Sequence, residues 1–307
     1  MPAMIKPKFR VAFRRDVFLY LLLVLPLIYF LVFKYVPMYG VTIAFKDFNI
    51  FAGIWDSEWN GWAQFEEIFG TREFYQVLRN TLLLNFLDLV VGFPIPILLA
   101  LMINEIRFSR FKKGVQTLLY LPHFLSWVII GGIVLQVFAP DRGLMNILLK
   151  SLGMEQVNFL TEGWNWVAVY VGVGIWQSAG WGTILFLAAM AGINPELYEA
   201  AEVDGANRFQ RILKITLPSI LPVIIILLIL QVGRITAISF DRPFIIGNTL
   251  VADYAQVIST YVYDVGLKSM RHNMATAIGL FQSAIGLVFL LTTNWIAEKN
   301  GQEGIYK

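Results

Sequence analysis

Acidic and small side chains are concentrated in one polar segment, residues 193–222, which separates two long apolar stretches. Asn194 can cap a helix that has Pro195 at its first position, a common helix start. Acidic side chains follow in the early turns, where the helix dipole favours negative charge; they are Glu196, Glu199 and Glu202. Carboxylates placed in this way can pair with basic groups of another surface or cap backbone amides.

Gly205 interrupts this helix, so the pattern predicts a bend at Asp204–Gly205 and a second short helix that runs through Lys214 and ends near Pro218. A partner surface can approach the backbone closely beside the small side chains of Ala200, Ala201 and Ala206. The segment is too polar to enter lipid. Its pattern alone fits a docking element and an amphipathic helix on a membrane surface equally well.

Two ionisable residues lie inside apolar stretches, where a charge is costly and usually faces a cavity or a partner. At 1.5 Å per helical residue, Asp88 lies about 12 Å from Asn80 along one stretch, and Arg234 lies about 24 Å along a later one. Both fall in the same half of a membrane, so we expect that they can pair. Such a pair could simply join two helices, or Arg234 could meet an anionic or hydroxyl-rich ligand in a cavity.

Amide and indole side chains in the same stretches could bind a hydroxyl-rich ligand. Amides offer paired donors and acceptors to hydroxyl groups, and indole rings can stack on the C–H faces of sugars. The candidates are Asn85, Trp176, Gln177, Trp181, Gln231 and Gln282. Amides also join helices inside membranes, and the sequence leaves both roles open.

Catalytic chemistry is not encoded in any recognisable form. The chain has no cysteine, no Gly-Lys pair that a phosphate-binding loop would need, and no Gly-x-Ser-x-Gly nucleophile elbow. Its two histidines, His123 and His272, are not at metal-ligand spacing. We therefore expect no catalytic residue, no metal site, no bound cofactor and no nucleic-acid binding.

The composition points to lipid as the solvent, because 57% of the 307 residues are hydrophobic and only 15% are charged, against about 25% charged residues in soluble domains. A membrane-spanning helix needs roughly 20 mostly apolar residues. Six stretches qualify: about Val17–Val36, Thr81–Ile103, Val115–Phe138, Trp166–Met190, Leu217–Phe240 and Ala275–Ile296.

Basic residues are dense on one side of these stretches only: in the first 16 residues, in the link 104–114, and in the link that holds Arg208, Arg211 and Lys214. Because cytoplasmic loops carry the excess of Lys and Arg, we expect both termini to be cytoplasmic. The opposite links contain Trp55, Trp59, Trp62, Tyr261 and Tyr263, which suit either headgroup anchoring or a docking surface for an extracellular partner.

The polar segment resembles the EAA loop of binding-protein-dependent ABC importer permeases, through Glu199-Ala200-Ala201, Asp204-Gly205-Ala206, and Ile215-Thr216-Leu217-Pro218 with Pro222. Asn80-Thr81-Leu82 resembles the start of that family's core domain. Residues 34–40, 44–48 and 275–282 resemble the branch of the maltose-type permease superfamily that imports complex-carbohydrate oligosaccharides.

The resemblance implies an all-α, type I ABC importer permease fold with six transmembrane helices and a cytoplasmic coupling-helix loop in a bacterial plasma membrane. Its docking residues on an ATPase would be Glu199, Ala200, Ala201, Asp204, Gly205 and Ala206. We expect three regions: residues 1–74 with the first span, the permease core at 75–296 and a cytoplasmic tail at 297–307.

The partners that the resemblance implies are a second homologous permease, with a heterodimer favoured over a homodimer, and two ABC ATPase subunits that carry ATP and Mg. An extracellular solute-binding protein would deliver an oligosaccharide, and transport would follow alternating access. The main alternative is an ion-coupled secondary transporter with Asp88 as a proton or cation site, which would leave the polar segment without a role. An intramembrane enzyme would lack catalytic groups.

Overall fold

A computed structural model of the protein describes residues 17–299, 301 and 304. Within these residues, five helices are long and apolar enough to cross a membrane, and a sixth crossing is a helix pair bent by 101°. The predicted all-α fold is confirmed. In chain order the elements are α1 Val17–Phe45, β1 Lys46–Asp47, α2 Gly53–Asp56, β2 Glu58–Trp59, α3 Ala63–Gly70, α4 Arg72–Asn104, α5 Ser109–Phe124, α6 Trp127–Phe138, α7 Leu144–Ser151, α8 Gly163–Ala191, α9 Pro195–Val203, α10 Arg208–Gly233, α11 Asp241–Ile246, α12 Ala252–Ala255, α13 Ile258–Tyr263 and α14 His272–Lys299.

The third crossing differs from the single helix predicted at Val115–Phe138. Its chain turns between α5 and α6, where α5 ends in a 3-10 turn that contains Pro122 and the Ser126 side chain caps α6 by accepting from the Ile129 amide. Both helices nevertheless lie along α8: His123 at the end of α5 stacks on Trp181, ten residues before the end of α8, and Phe138 at the end of α6 meets Phe159 just before α8 begins. The pair is therefore a broken crossing and not a loop that returns to the side it came from.

The fifth crossing is shorter than predicted. We expected Leu217–Phe240, but α10 ends at Gly233 and the chain turns at Arg234. The apolar residues after that point prolonged the hydropathy pattern although they lie in a turn and in the approach to α11. Two of the prolines in these helices follow π turns: Pro94 comes after Asp88–Gly92, and Pro218 comes after Ile212–Thr216. Local π geometry helps to satisfy the backbone groups that a proline leaves unpaired.

The two membrane sides differ in structure. One side, which we call the α9 side, carries α9 and the start of α10. The other, the hairpin side, carries the β1–β2 hairpin, in which Lys46 lies opposite Trp59. Beneath the hairpin, an apolar cluster joins the end of α1 to α3, α4, α13 and α14; it contains Phe65, Phe74, Tyr261, Met274 and Ile278.

Arg271 and Glu67 form an ion pair at the edge of this cluster, and the hydrogen bond from Arg271 lowers the pKa of the Glu67 carboxyl. Trp55, Trp59 and Trp62 remain exposed, so both roles proposed for these residues stay open. Residues Val17–Phe30 of α1 bury no side chain. The proposed division into three regions stays a prediction.

Helix α8 lies at the centre of the fold and packs against α4, α5, α6 and α10. Its Trp166 and Tyr170 are fully buried, and the Trp166 indole donates to the Ile246 carbonyl at 3.1 Å. Towards the α9 side a separate cluster of Ala100, Phe186, Met190 and Ile220 joins α8 to α4 and α10. This helix therefore connects the surfaces of the two membrane sides.

Gly180 lets α5 approach α8 with no side chain between them. A Cβ at Gly180 would overlap the carbonyl oxygen of Leu119, whereas one at Gly172 on the same helix would meet nothing. We predict that Gly180→Ala costs about 1–3 kcal/mol, the usual penalty for overpacking, and that Gly172→Ala is neutral. The thermal midpoint of the two variants in detergent, measured by fluorescence-detected size exclusion, checks this; equal midpoints would contradict it.

Candidate translocation and coupling sites

The polar segment folds as predicted into two helices around a glycine. The Asn194 side chain accepts from the Glu196 amide at 3.1 Å, with Pro195 in the first helical position of α9. Asn207 and Gln210 form a reciprocal capping box at the start of α10, with both bonds at 2.9 Å. The predicted helix start and the predicted bend at Asp204–Gly205 are both present in the structure.

The bend is a Schellman turn. Gly205 has a φ of 76°, its amide donates to the Glu202 carbonyl at 3.1 Å, and the Ala206 amide donates to the Ala201 carbonyl at 2.8 Å. This pair of bonds satisfies the last carbonyls of a helix, and the positive φ suits glycine. The Tyr198 hydroxyl, 2.9 Å from the Thr216 hydroxyl, ties α9 back to α10. The shape of the element therefore depends on Gly205.

The predicted docking residues lie on the surface of this element. Glu199, Ala200, Asp204 and Gly205 are exposed, and Ala201 and Ala206 are half-buried. Two apolar side chains outside the predicted docking set flank the turn: Val203 is 88% exposed and Phe209 is 68% exposed. They could have been found as the apolar positions of a segment that is otherwise polar.

The predicted pair of Asp88 with Arg234 is wrong. Asp88 binds Arg242 through two hydrogen bonds, at 2.8 and 3.2 Å, and both side chains are largely buried, with exposed fractions of 21% and 10%. Arg242 lies two residues beyond the predicted end of the fifth span, outside the predicted apolar stretches. Because α10 ends early and α11 folds back, the structure brings Arg242 and not Arg234 to the carboxylate.

Arg242 joins four helices at this point. Besides binding Asp88 of α4, its guanidinium donates to the Tyr170 carbonyl of α8, lies 3.6 Å from the centre of the Tyr170 ring and faces the Trp127 ring of α6 at 5.8 Å. A Cβ at Gly174 would overlap the guanidinium. The ion pair therefore fixes α11 against α4, α6 and α8, and Asp88 is not a free ion site.

Arg234 stands apart from this network. No ion pair or hydrogen bond of its side chain occurs within the part of the chain that the structure describes. It lies with Gln231 on a cleft of about 270 Å³, and both side chains are exposed. The other residues of the cleft are mainly apolar and include Phe93, Pro96, Phe186 and Leu227.

Two of the predicted ligand-contacting amides bind the turn that carries Arg234. Asn85 of α4 donates to the Ile235 carbonyl at 2.6 Å, and Gln282 of α14 donates to the Thr236 carbonyl at 2.7 Å. The Thr236 hydroxyl returns a bond to the Gln282 carbonyl at 3.1 Å. In this structure, Asn85 and Gln282 join helices through the backbone of this turn.

The remaining candidates lie along α8. Trp181 stacks on His123 with ring centres 4.6 Å apart, and the Gln177 amide is 3.5 Å from the His123 carbonyl. Trp176 lines a different, apolar cavity of about 410 Å³ between α6 and α8. The predicted set is thus not gathered in one pocket, and only Gln231 and Arg234 share a cleft.

Comparison with known proteins identifies the family of this chain. The profile of the family described as "binding-protein-dependent transport system inner membrane component" matches residues 74–300. Protein LplB of Bacillus subtilis strain 168 is 45% identical over 96% of this chain and 93% of its own length. The polygalacturonan/rhamnogalacturonan transport system permease protein YteP of the same organism is 45% identical, over 94% and 90%.

Solved structures agree with the sequence relatives. A chain of a bacterial alginate ABC transporter, crystallised with a periplasmic protein that holds an alginate pentasaccharide, superposes with a TM-score of 0.88 at 39% identity and covers 97% of this chain and 99% of its own. The predicted family and type I permease fold are therefore confirmed, and the chain is a membrane-spanning transport component and not an enzyme. It belongs to the family of inner membrane components of binding-protein-dependent transport systems.

Proposed function

We propose that this chain is the permease subunit of an ATP-driven importer that passes an oligosaccharide across a bacterial plasma membrane. One observation carries the proposal: the helix–glycine–helix element on the α9 side, α9 and the start of α10, presents the exposed apolar side chains of Val203 and Phe209. Exposed apolar groups on a polar, ordered element mark an interaction surface. Family membership supplies the class of partner, an ATPase.

The α9 side is the cytoplasmic side in this proposal, and both termini lie there, because it carries the dense basic links. Two ABC ATPase subunits dock there and hold ATP and Mg. The docking residues are Glu199, Ala200, Ala201, Asp204, Gly205 and Ala206, to which we add Val203 and Phe209. A second homologous permease, distinct from this chain, completes the path, and an extracellular solute-binding protein meets the hairpin side.

The saccharide class is supported by the relatives. Their names refer to polygalacturonan and rhamnogalacturonan, to arabinooligosaccharides and to alginate. We propose alternating access as the mechanism, with nucleotide-driven closure of the ATPase pair moving α9 and the start of α10. Such coupling requires that the ATPase binds this element differently in the two states. An ion-coupled mechanism is not retained, because Asp88, its proposed ion site, is paired with Arg242.

The direct test is reconstitution of the chain with its partner permease, ATPase pair and binding protein in proteoliposomes. We expect oligosaccharide uptake that requires ATP on the ATPase side. Phe209→Asp should reduce the ATPase retained on the purified permease by about tenfold, equivalent to about 1.4 kcal/mol. Leu152→Asp, which changes an exposed apolar residue on the hairpin side, is the matched control. Uptake without ATP, or full ATPase retention by the Phe209 variant, would refute the proposal.

A further inference from the structure

The pairing of Asp88 with Arg242 leaves a second arginine uncompensated. Arg234 follows the last residue of α10 and is exposed, within a stretch, residues 217–240, that contains no other charged residue. The negative end of the α10 dipole favours a cation at this position, but a dipole does not neutralise a full charge. Charges at membrane depth face a cavity or a partner, and Arg234 faces the cleft that it shares with Gln231.

The position of Arg234 is fixed by its neighbours. Its own amide donates to the Gln231 carbonyl at 3.1 Å, and its carbonyl accepts from the Ala237 amide at 2.8 Å. Asn85 and Gln282 hold the next two carbonyls from opposite sides. At the same turn α10 and α14 are in close contact, since a Cβ at Gly286 would lie 3.0 Å from the Gly233 carbonyl oxygen. The backbone of Arg234 is thus held by hydrogen bonds, and its guanidinium has no partner among the residues that the structure describes.

The cleft has the composition of a site for a charged carbohydrate. A guanidinium presents parallel donors that match a carboxylate, and the Gln231 amide, one turn earlier on the same helix, can exchange hydrogen bonds with hydroxyl groups. Phe93, Pro96 and Leu227 provide apolar surface that suits the C–H faces of a sugar ring. A neutral saccharide would leave the charge of Arg234 without a counterion.

We propose that Arg234 and Gln231 form a binding subsite for the carboxylate of an acidic, uronate-type oligosaccharide on its way through the membrane. This inference rests on the proposed function and adds the charge class of the substrate to it. The carboxylate binds the Arg234 guanidinium, and Gln231 binds a hydroxyl of the same or the adjoining sugar.

The test uses the full reconstituted complex with trigalacturonate, its uncharged methyl ester and maltotriose as probes. The measured quantity is the ratio of initial uptake of trigalacturonate to that of the preferred neutral probe. We expect Arg234→Gln to lower this ratio about tenfold or more, as loss of a charge-assisted pair predicts, and Arg234→Lys to lower it less. Lys268→Gln, which removes another positive charge on the hairpin side, should leave the ratio within about twofold, as expected for an exposed charge.

Three results would overturn the subsite. The first is an unchanged uptake ratio in Arg234→Gln, and the second is an unaltered complex that takes up the neutral probes but not trigalacturonate. The third is loss of the second permease from purified Arg234→Gln complexes, which would make Arg234 an interface residue. If the unaltered complex takes up no saccharide with ATP present, it is the proposed function that fails.

Discussion

Gly205→Pro abolishes oligosaccharide uptake while the chain still inserts in the membrane: this is the expected result for the turn between α9 and α10. Proline fixes φ near −65° and has no amide hydrogen, whereas Gly205 has a φ of 76° and donates to the Glu202 carbonyl. The variant therefore loses both the backbone conformation and one of the two bonds of the Schellman turn. As a result, Val203 and Ala206 no longer lie in the arrangement that the proposed docking surface requires.

A series of substitutions at Gly205 separates the effect of the backbone conformation from that of the added side chain. Asparagine tolerates positive φ better than other non-glycine residues, so Gly205→Asn should retain most uptake. Gly205→Ala should lie between, because it keeps the amide but costs about 1 kcal/mol in this backbone region. Uptake and ATPase retention, measured on the same preparations, should fall in that order.

The chain contains its own control for Gly205→Pro. Gly153 ends α7 on the hairpin side with a φ of 74°, and its turn has the same two bonds, from Gly153 to Lys150 and from Met154 to Leu149. Gly153→Pro therefore imposes the same local damage on the opposite membrane side. It should leave ATPase retention intact. Equal loss of retention in both variants would show that Gly205 acts through general stability and not through docking.

Arg242→Leu is expected to destabilise the fold more than any other substitution considered above. It leaves the Asp88 carboxylate without a counterion in the protein interior, which costs about 3–5 kcal/mol for a broken buried pair. At about 2–4 °C per kcal/mol, the thermal midpoint of the purified protein should fall clearly, and the yield of monodisperse protein should fall with it.

The double variant Asp88→Asn with Arg242→Gln tests the physical reason. It removes both charges and keeps hydrogen-bonding groups at both positions. We therefore expect its thermal midpoint to fall by less than half of the decrease caused by Arg242→Leu. Nearly neutral replacement of both partners is the usual behaviour of buried pairs. A double variant as unstable as Arg242→Leu would show that the contacts of Arg242 with Tyr170 and Trp127 matter more than the charge pair.

Local sequence rules predicted the coupling segment in detail. The start at Asn194-Pro195 and the bend at Gly205 depend on neighbouring residues only, and the structure contains both. The sequence also predicts the number of crossings, because each apolar stretch of about 20 residues is long enough to span a membrane. The exposed apolar side chain of Phe209 is also readable from this segment, because it is an apolar position among polar neighbours.

The partner of Asp88 could not be predicted in this way. Hydropathy indicates whether a residue favours lipid, but it does not show where the chain turns. The apolar residues after Gly233 therefore extend the predicted helix to Phe240. The chain instead turns at Arg234 and returns to the core as α11, which brings Arg242 to Asp88. For the same reason, the sequence could not show that Asn85 and Gln282 bind backbone carbonyls of that turn.

The 101° break between α5 and α6 divides one crossing into two mechanical parts. A continuous helix carries a tilt applied at one end through to the other, because its hydrogen bonds make it a stiff rod. Here α5 contacts α8 at Gly180, and α6 packs against α11, where the Ile245 side chain fills the space beside Gly131. In the proposed alternating access, movement of α5 can therefore be taken up at the break, so that one end of the translocation path changes its width while the other end stays closed.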